Sequence, residues 1–259
     1  MRRACCVMRN FTCKLQTIVD GSLAMDHRLS AMHLLTTYNL LLTTQMTINK
    51  LQYISQSSDS LSHIAAIESA LKAGCKWVQL RVKNETQVKV LEIAKLAKIL
   101  CDRYKAKLII NDNPEVAKEV QAYGVHVGLL DMPIAEVRQL VGNEMIIGGT
   151  ANTFEHVKLH AVQGADYVGV GPLRFTTTKD MLSPILGLEG YATILAQMNA
   201  EGISIPLIAI GGIIADDIIA LMQIGVHGVA VSGSITHAEN RQQVFKEMNI
   251  SLNTVLHEG

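Results

Sequence analysis

One local pattern recurs four times along the chain and limits what it can fold into. A helical stretch runs into a glycine, and a short apolar run follows within a few residues. The instances are Ala73-Gly74 before Trp77-Val78-Gln79-Leu80, Tyr123-Gly124 before Val125-His126-Val127, Gln163-Gly164 before Tyr167-Val168-Gly169-Val170, and Ile224-Gly225 before Val229-Ala230-Val231. Glycine just past a helix end adopts the left-handed conformation without a Cβ penalty. The runs are continuously apolar rather than alternating, as in parallel strands covered on both faces.

Extended along the chain, this rhythm predicts eight strands, at 48–54, 77–82, 107–111, 124–128, 145–149, 167–171, 206–211 and 228–232. Amphipathic stretches lie between them. In Val88–Leu100, Val88, Leu91, Leu96 and Ile99 alternate with Lys89, Lys95 and Lys98. Further helices are predicted over Leu188–Met198, over Asp216–Ile224 and from about Ala238 to the end. Eight strands alternating with helices point to an α/β fold of the (β/α)8 TIM-barrel class, occupying 46–259 as a single catalytic domain. An open doubly wound sheet is the alternative, but no glycine fingerprint for a dinucleotide follows the first strand.

Residues 1–45 read differently. They carry Arg2, Arg3, Arg9, Lys14 and Arg28 against Asp20 and Asp26. Arg9 and Asn10 interrupt the opening apolar stretch too early for a signal peptide, and Leu34–Leu42 is too short to span a bilayer. The segment is basic and poor in acids, as transit peptides are, but Met46 directly precedes the first predicted strand. The expectation is a disordered extension, or a start codon placed too early, that adds nothing to the fold.

Charge and cysteine usage exclude several classes. Lysine plus arginine and aspartate plus glutamate both number 23, so no global field draws the chain to nucleic acid or an anionic membrane. The five cysteines form no Cys-x-x-Cys pair, which argues against a disulfide scaffold or zinc module. Cys75 and Cys101 fall in apolar or amphipathic stretches and read as core thiols in a reducing compartment, with a cytoplasmic location expected. A homo-oligomer remains open.

In a barrel of this kind the chemistry sits at the C-terminal ends of the strands. The second strand ends Gln79-Leu80-Arg81-Val82-Lys83, and alternation puts Gln79, Arg81 and Lys83 on one face. These cations suit an anionic substrate, or else an internal salt bridge. Asn111-Asp112 ends the third strand, and Asp131 lies just beyond the fourth. Carboxylates at neighbouring strand ends suit a hard cation such as Mg2+, which keeps water for a phosphate partner. Each could instead cap a helix, Asp112 the one starting near Pro114 and Asp131 the one that follows Met132-Pro133. His126, inside an apolar run, reads as a core histidine. Thr176-Thr177-Thr178-Lys179 offers hydroxyl and ammonium donors after the sixth strand. Gly211-Gly212 and Ser232-Gly233-Ser234 stand where such barrels bind phosphate with backbone N–H groups. Such a mouth suits two separate anionic groups, a diphosphate at the metal and a monophosphate at the last two strands.

These residues resemble the thiamine phosphate synthase family. Its Gln-x-Arg-x-Lys, Asn-Asp, Gly-x-His-x-Gly-x-x-Asp and Ile-Gly-Gly-Ile elements occur in order, with a long string matching Gly164–Lys179, over about 46–240. The resemblance implies an enzyme that joins an aminopyrimidine diphosphate to a thiazole phosphate, releasing pyrophosphate and forming thiamine phosphate. It implies that the Gln79–Lys83 run (Gln79, Leu80, Arg81, Val82, Lys83), Asn111, Thr150 and Lys179 hold the pyrimidine diphosphate. Arg81, Lys83 and Lys179 would stabilise the departing charge, and Asp112 and Asp131 would bind Mg2+. Thr176, Thr177 and Thr178 would lie at the thiazole, and Gly212, Ser232 and Gly233 would hold its phosphate. No protein nucleophile is needed, which agrees with the lack of a convincing Ser–His or Cys–His pair.

Three positions depart from the family pattern: Leu129 where glutamine is common, Thr150 where serine is common, and Asn152 where histidine is common. The sister thiazole tautomerases use a histidine at that last position. Its absence, with both aspartates and Lys179 kept, favours the synthase over the tautomerase. A phosphosugar isomerase would need paired acid–base groups at the centre, which are not found. A catalytically silent barrel that binds thiamine phosphates would keep the phosphate cup and lose the metal pair.

Overall fold

A computed structural model describes residues 47–58, 61–175 and 184–254. The expected 1–45 extension therefore lies outside the described residues, as do Thr176, Thr177, Thr178 and Lys179. The described chain runs β1 (Leu51–Ile54), α1 (His63–Lys72), β2 (Trp77–Leu80), α2 (Gln87–Arg103), β3 (Lys107–Asn111), α3 (Pro114–Glu119), β4 (Gly124–Val127) and α4 (Ile134–Val141). It continues with β5 (Ile146–Ala151), α5 (Phe154–Val162), β6 (Tyr167–Val170), α6 (Gly187–Ala200) and β7 (Leu207–Ile210). A 3-10 turn (Ala215–Asp217) leads into α7 (Ile218–Gln223), β8 (Gly228–Val231), α8 (Gly233–Thr236) and α9 (Arg241–Thr254). The eight strands are parallel and close on themselves, β1 pairing with both β2 and β8. This is the (β/α)8 barrel, and each predicted strand is present.

Strand alternation sorts side chains into two cores. Outward residues such as Val78, Leu108, Ile110, Val125, Ile147 and Val168 are buried beneath the helices. On α2 the buried positions Val90, Ala94, Ala97 and Cys101 recur every three or four residues, so one stripe meets the sheet, whereas Val88, Leu96 and Ile99 of the expected apolar set are exposed. Its N-cap Thr86 accepts a hydrogen bond from the Lys89 N–H. Inside the barrel, the Trp77 and Tyr167 rings meet edge to face with centroids 5.2 Å apart. Glycine makes room for them: a Cβ at Gly148 would collide with the Tyr167 ring and with His126.

Three of the four glycines in the repeat take positive φ at helix ends: Gly74 (104°), Gly164 (87°) and Gly225 (98°). The fourth does not. Gly124 is the first residue of β4, and a Cβ there would strike Ile146 and Ile109. The left-handed turn after α3 falls at Gln121 instead, with φ 51°. Gly124 is small because the barrel interior is crowded there, not because a helix ends.

The N-terminal face of the barrel is tied by Arg138. Its guanidinium pairs with Asp166 at 2.6 Å and donates to the Met145 carbonyl at 2.7 Å, while Asp166 also accepts from the Ile147 N–H. Asp166, part of the long Gly164–Lys179 string, is thus structural and far from the strand ends where chemistry would sit.

Candidate active site

Two carboxylates converge at the C-terminal ends of β3 and β4. Asp112 directly follows β3 and has φ 62°, a left-handed conformation that costs a non-glycine residue about 1–2 kcal/mol. Its N–H donates to the His126 carbonyl at 2.8 Å, which pins the turn to the neighbouring strand. The Asp112 carboxylate does not cap α3: Asn113 occupies that position, and no side-chain cap bond forms. It is ion-paired with the Lys83 ammonium instead. Asp131 does not cap α4 either, whose N-cap position is Pro133. Asp131 turns back, and its Oδ2 accepts the Gly128 N–H at 2.7 Å. A Cβ at Gly128 would lie 2.7 Å from that oxygen, so glycine permits the carboxylate to fold over the strand end.

The pair is electrostatically uncomfortable. Burial raises the Asp131 carboxyl above its usual range, and the adjoining Asp112 carboxylate raises it further, against the Gly128 N–H and Lys83. Two like charges at one spot need a cation or a proton. Among the described residues no group of three or more His, Cys, Asp or Glu side chains gathers to hold a metal. Two carboxylates alone suit a hard divalent ion that fills its remaining positions with water and phosphate oxygens, so the donor set fits.

The second-strand residues divide by depth. Gln79 is 2% exposed, and its amide donates to Gln52 Oε1 at 3.3 Å inside the barrel. Leu80 and Val82 pack into the outer core, so only their backbone is available to a ligand at the mouth. Arg81 and Lys83 lie past the strand end. Lys83 finds Asp112, whereas the Arg81 guanidinium pairs with no carboxylate among the described residues. The internal salt bridge expected as the alternative thus accounts for one of the two cations. Asn111 is 6% exposed, and its side-chain N–H group has no hydrogen-bond partner within the described protein. An unsatisfied buried amide at a strand end is costly unless a ligand meets it.

His126 is buried, as a core histidine should be, but it also bridges to the mouth. Its ring nitrogens lie 3.1 Å from the Tyr167 hydroxyl and 3.1 Å from Thr150 Oγ1. A polar column therefore rises from Tyr167 at the barrel centre to Thr150 at the mouth. Burial pushes the Tyr167 hydroxyl up, keeping it protonated, while Gln52 and Gln79 pull the other way. Asn152 Nδ2 donates to the Gly171 carbonyl at 2.5 Å, holding the turn after β6, which contains a cis Gly171–Pro172 bond. Leu129 is part-buried in the loop after β4.

The last strands form the glycine-rich corner. Gly211 and Gly212 have φ 95° and 72°, and a Cβ at Gly212 would collide with the Arg174 side chain. Arg174 Nη1 donates to the Gly212 carbonyl at 2.8 Å and to Asp217 Oδ2 at 2.7 Å, clamping this loop to the 3-10 turn. Ser232 Oγ donates to the Ile54 carbonyl at 2.7 Å, closing β8 onto β1, and Gly233 opens α8.

A Ser–His pair, which the sequence alone does not reveal, is also present. Ser55 Oγ lies 2.9 Å from His63 Nδ1, joining the end of β1 to the first residue of α1. The two are eight residues apart across a strand–helix connection, a spacing that no local motif marks.

The sequence matches the family model described as thiamine monophosphate synthase over residues 51–235. It is 54% identical over 188 residues to a thiamine-phosphate synthase of Bacteroides fragilis, covering 73% of this chain and 92% of that one. A thiamine-phosphate synthase of Flavobacterium johnsoniae is 48% identical over 204 residues, covering 79% and 96%. Among solved structures, a thiamine phosphate pyrophosphorylase from Pyrococcus furiosus superposes with TM-score 0.68 at 30% identity, covering 80% of this chain and 96% of the other.

Proposed function

The chain belongs to the thiamine monophosphate synthase family, and we propose that the mouth of its barrel joins an aminopyrimidine diphosphate to a thiazole phosphate with Mg2+ held between Asp112 and Asp131. It is a transferase of thiamine biosynthesis that releases pyrophosphate. The observation that carries the site assignment is the meeting of Asp112 and Asp131 beside Lys83 at adjacent strand ends.

The chemistry follows from charge. Departure of diphosphate leaves a cation-like methylene carbon, which the electron-rich aminopyrimidine stabilises. The enzyme must stabilise the departing anion, and pre-placed charges in a water-poor site do this at low reorganisation cost. Mg2+ bound at the two carboxylates would supply a further positive charge to that anion. Arg81, with no carboxylate partner among the described residues, is available to a phosphate oxygen. Lys83 holds Asp112 and faces the same anion, and Lys179 is assigned there by its place in the family string. Asn111 offers its unmatched N–H group, and Gln79 and Thr150 complete the pyrimidine side. Gly212, Ser232 and Gly233, with Thr176, Thr177 and Thr178, take the thiazole phosphate. The ring nitrogen then attacks the carbon and needs chiefly positioning.

The domain at 46–259 carries this activity, and both substrates are small phosphorylated molecules. No helix among the described residues is long and apolar enough to cross a membrane. The buried free thiols Cys75 and Cys101 are in keeping with a cytoplasmic location. The tautomerase and silent-barrel readings are disfavoured by the paired carboxylates and by relatives that carry the synthase name. Incubation with both phosphorylated halves should yield thiamine phosphate and pyrophosphate in equal amounts. Product from the thiazole phosphate alone, as an isomer, would favour the tautomerase instead.

A further inference from the structure

Ser55 sits one residue beyond β1 and is 1% exposed. Its N–H donates to the Gln79 carbonyl at 2.9 Å, continuing the parallel ladder between β1 and β2. In a regular ladder the next bond would run from the Arg81 N–H to the Ser55 carbonyl. Here the Arg81 N–H donates to Ser55 Oγ at 3.1 Å. The hydroxyl has taken the place of a backbone acceptor, so the backbone that carries the Arg81 guanidinium is set by a side chain.

A hydroxyl that accepts one hydrogen bond still has a proton to place. Ser55 Oγ is 2.9 Å from His63 Nδ1. His63 is itself fixed as the first residue of α1, whose N-cap Ser62 accepts the Ala65 N–H. Burial, and then the Arg81 charge, lower the His63 imidazole below its usual value, which favours the neutral ring. Arg81 N–H thus donates to Ser55 Oγ, and the same oxygen shares a hydrogen bond with His63 Nδ1.

We propose that Ser55 and His63 are positioning residues that fix Arg81 against the diphosphate of the pyrimidine substrate, a role that rests on the assignment of Arg81 to that group. A hydroxyl held by His63 keeps one orientation, and the Arg81 backbone is held with it. Misplacement of a charged group by a fraction of a bond length weakens its contact with an anion while leaving distant contacts intact. At the thiazole phosphate corner, Ser232 bonds the Ile54 carbonyl with its own hydroxyl rather than through Ser55 Oγ or His63, and Gly212 follows β7, two strands from β1, so that corner should change less.

The test compares Ser55→Ala, Ser55→Thr, His63→Phe and Arg81→Met in the full chain with Mg2+ present. The readouts are KM for each substrate and inhibition by inorganic pyrophosphate. Ser55→Ala and His63→Phe should raise KM for the pyrimidine diphosphate and weaken pyrophosphate inhibition about tenfold, the scale of one hydrogen bond serving a charged group, with KM for the thiazole phosphate within twofold. Ser55→Thr, which keeps the hydroxyl, should restore pyrophosphate inhibition. Unchanged constants in both Ser55→Ala and His63→Phe, or equal losses for both substrates, would overturn the proposal. If Arg81→Met is inhibited by pyrophosphate as well as the parent, the assignment of Arg81 falls and takes the proposal with it. A weakened Arg81→Met beside unaltered Ser55→Ala and His63→Phe defeats the proposal alone.

Discussion

The Lys83 ammonium and the Asp112 carboxylate are ion-paired across the ends of β2 and β3, with Lys83 still half exposed. Asp112 holds a left-handed backbone to make that contact. Strain of this kind persists where the surroundings enforce it, and here it aims a carboxylate at Asp131 rather than at a helix end. Asp112→Ala should therefore reduce kcat/KM by at least about 2 kcal/mol of transition-state stabilisation, the scale for one charged stabiliser. Lys179→Ala should do the same on the strength of the family string. Steady-state kinetics decides both, and near-normal turnover in either variant removes that residue from the mechanism.

Asp131 links the site to pH. Its folded carboxyl is raised above the ordinary value by burial and by Asp112. A raised acid favours the folded state while protonated, and that contribution fades as pH climbs from the ordinary carboxylate range through the folded value. A cation bound to the ionised pair reverses the penalty. Magnesium should therefore raise Tm more at about pH 8 than at about pH 5, and Asp131→Asn should abolish the difference. Equal magnesium shifts at both pH values, or none, would count against a cation at these carboxylates.

Gly148 lies inside the barrel against Tyr167 and His126. Gly148→Ala forces a methyl into filled space, at a cost of about 1–3 kcal/mol, and displaces the histidine that reaches Thr150. Denaturant unfolding should show that loss. An unaltered midpoint would mean that the interior is looser than its geometry indicates.

Cys75 is wholly buried, its thiol pushed up to about 12 by burial, and its Sγ donates to the Trp77 carbonyl at 3.3 Å. It is packing, not chemistry. Cys75→Ala should leave turnover within twofold while costing roughly 1 kcal/mol of stability. A large rate loss in a folded variant would contradict this.

The strands were legible because each buries both faces and so leaves a short apolar run such as Leu108-Ile109-Ile110 in the sequence. The helix ends at Gly74, Gly164 and Gly225 were legible because positive φ selects glycine. Gly124 was misread, since interior crowding and helix termination select the same residue. In the site, Asp112 and Asp131 stood out as acids at strand ends, but capping competed with metal binding until the side-chain directions were known. Asp166 belongs to the family string Gly164–Lys179, yet it pairs with Arg138 at the opposite face, so membership of the string does not place a residue at the mouth. Ser55 and His63 could not be paired from sequence, because their contact depends on how the loop between β1 and α1 returns to the barrel. The link from His126 to Thr150 was hidden likewise, since only strand register places them side by side.

A cation held by the paired carboxylates would be required for the synthase reaction itself, not only for stability. The most direct test supplies both phosphorylated substrates to metal-stripped protein and follows thiamine phosphate by thiochrome fluorescence while Mg2+ is added back. Product should be absent in chelator and appear with magnesium in the parent chain, with little or none in Asp112→Ala. Full-rate product in chelator would contradict the account.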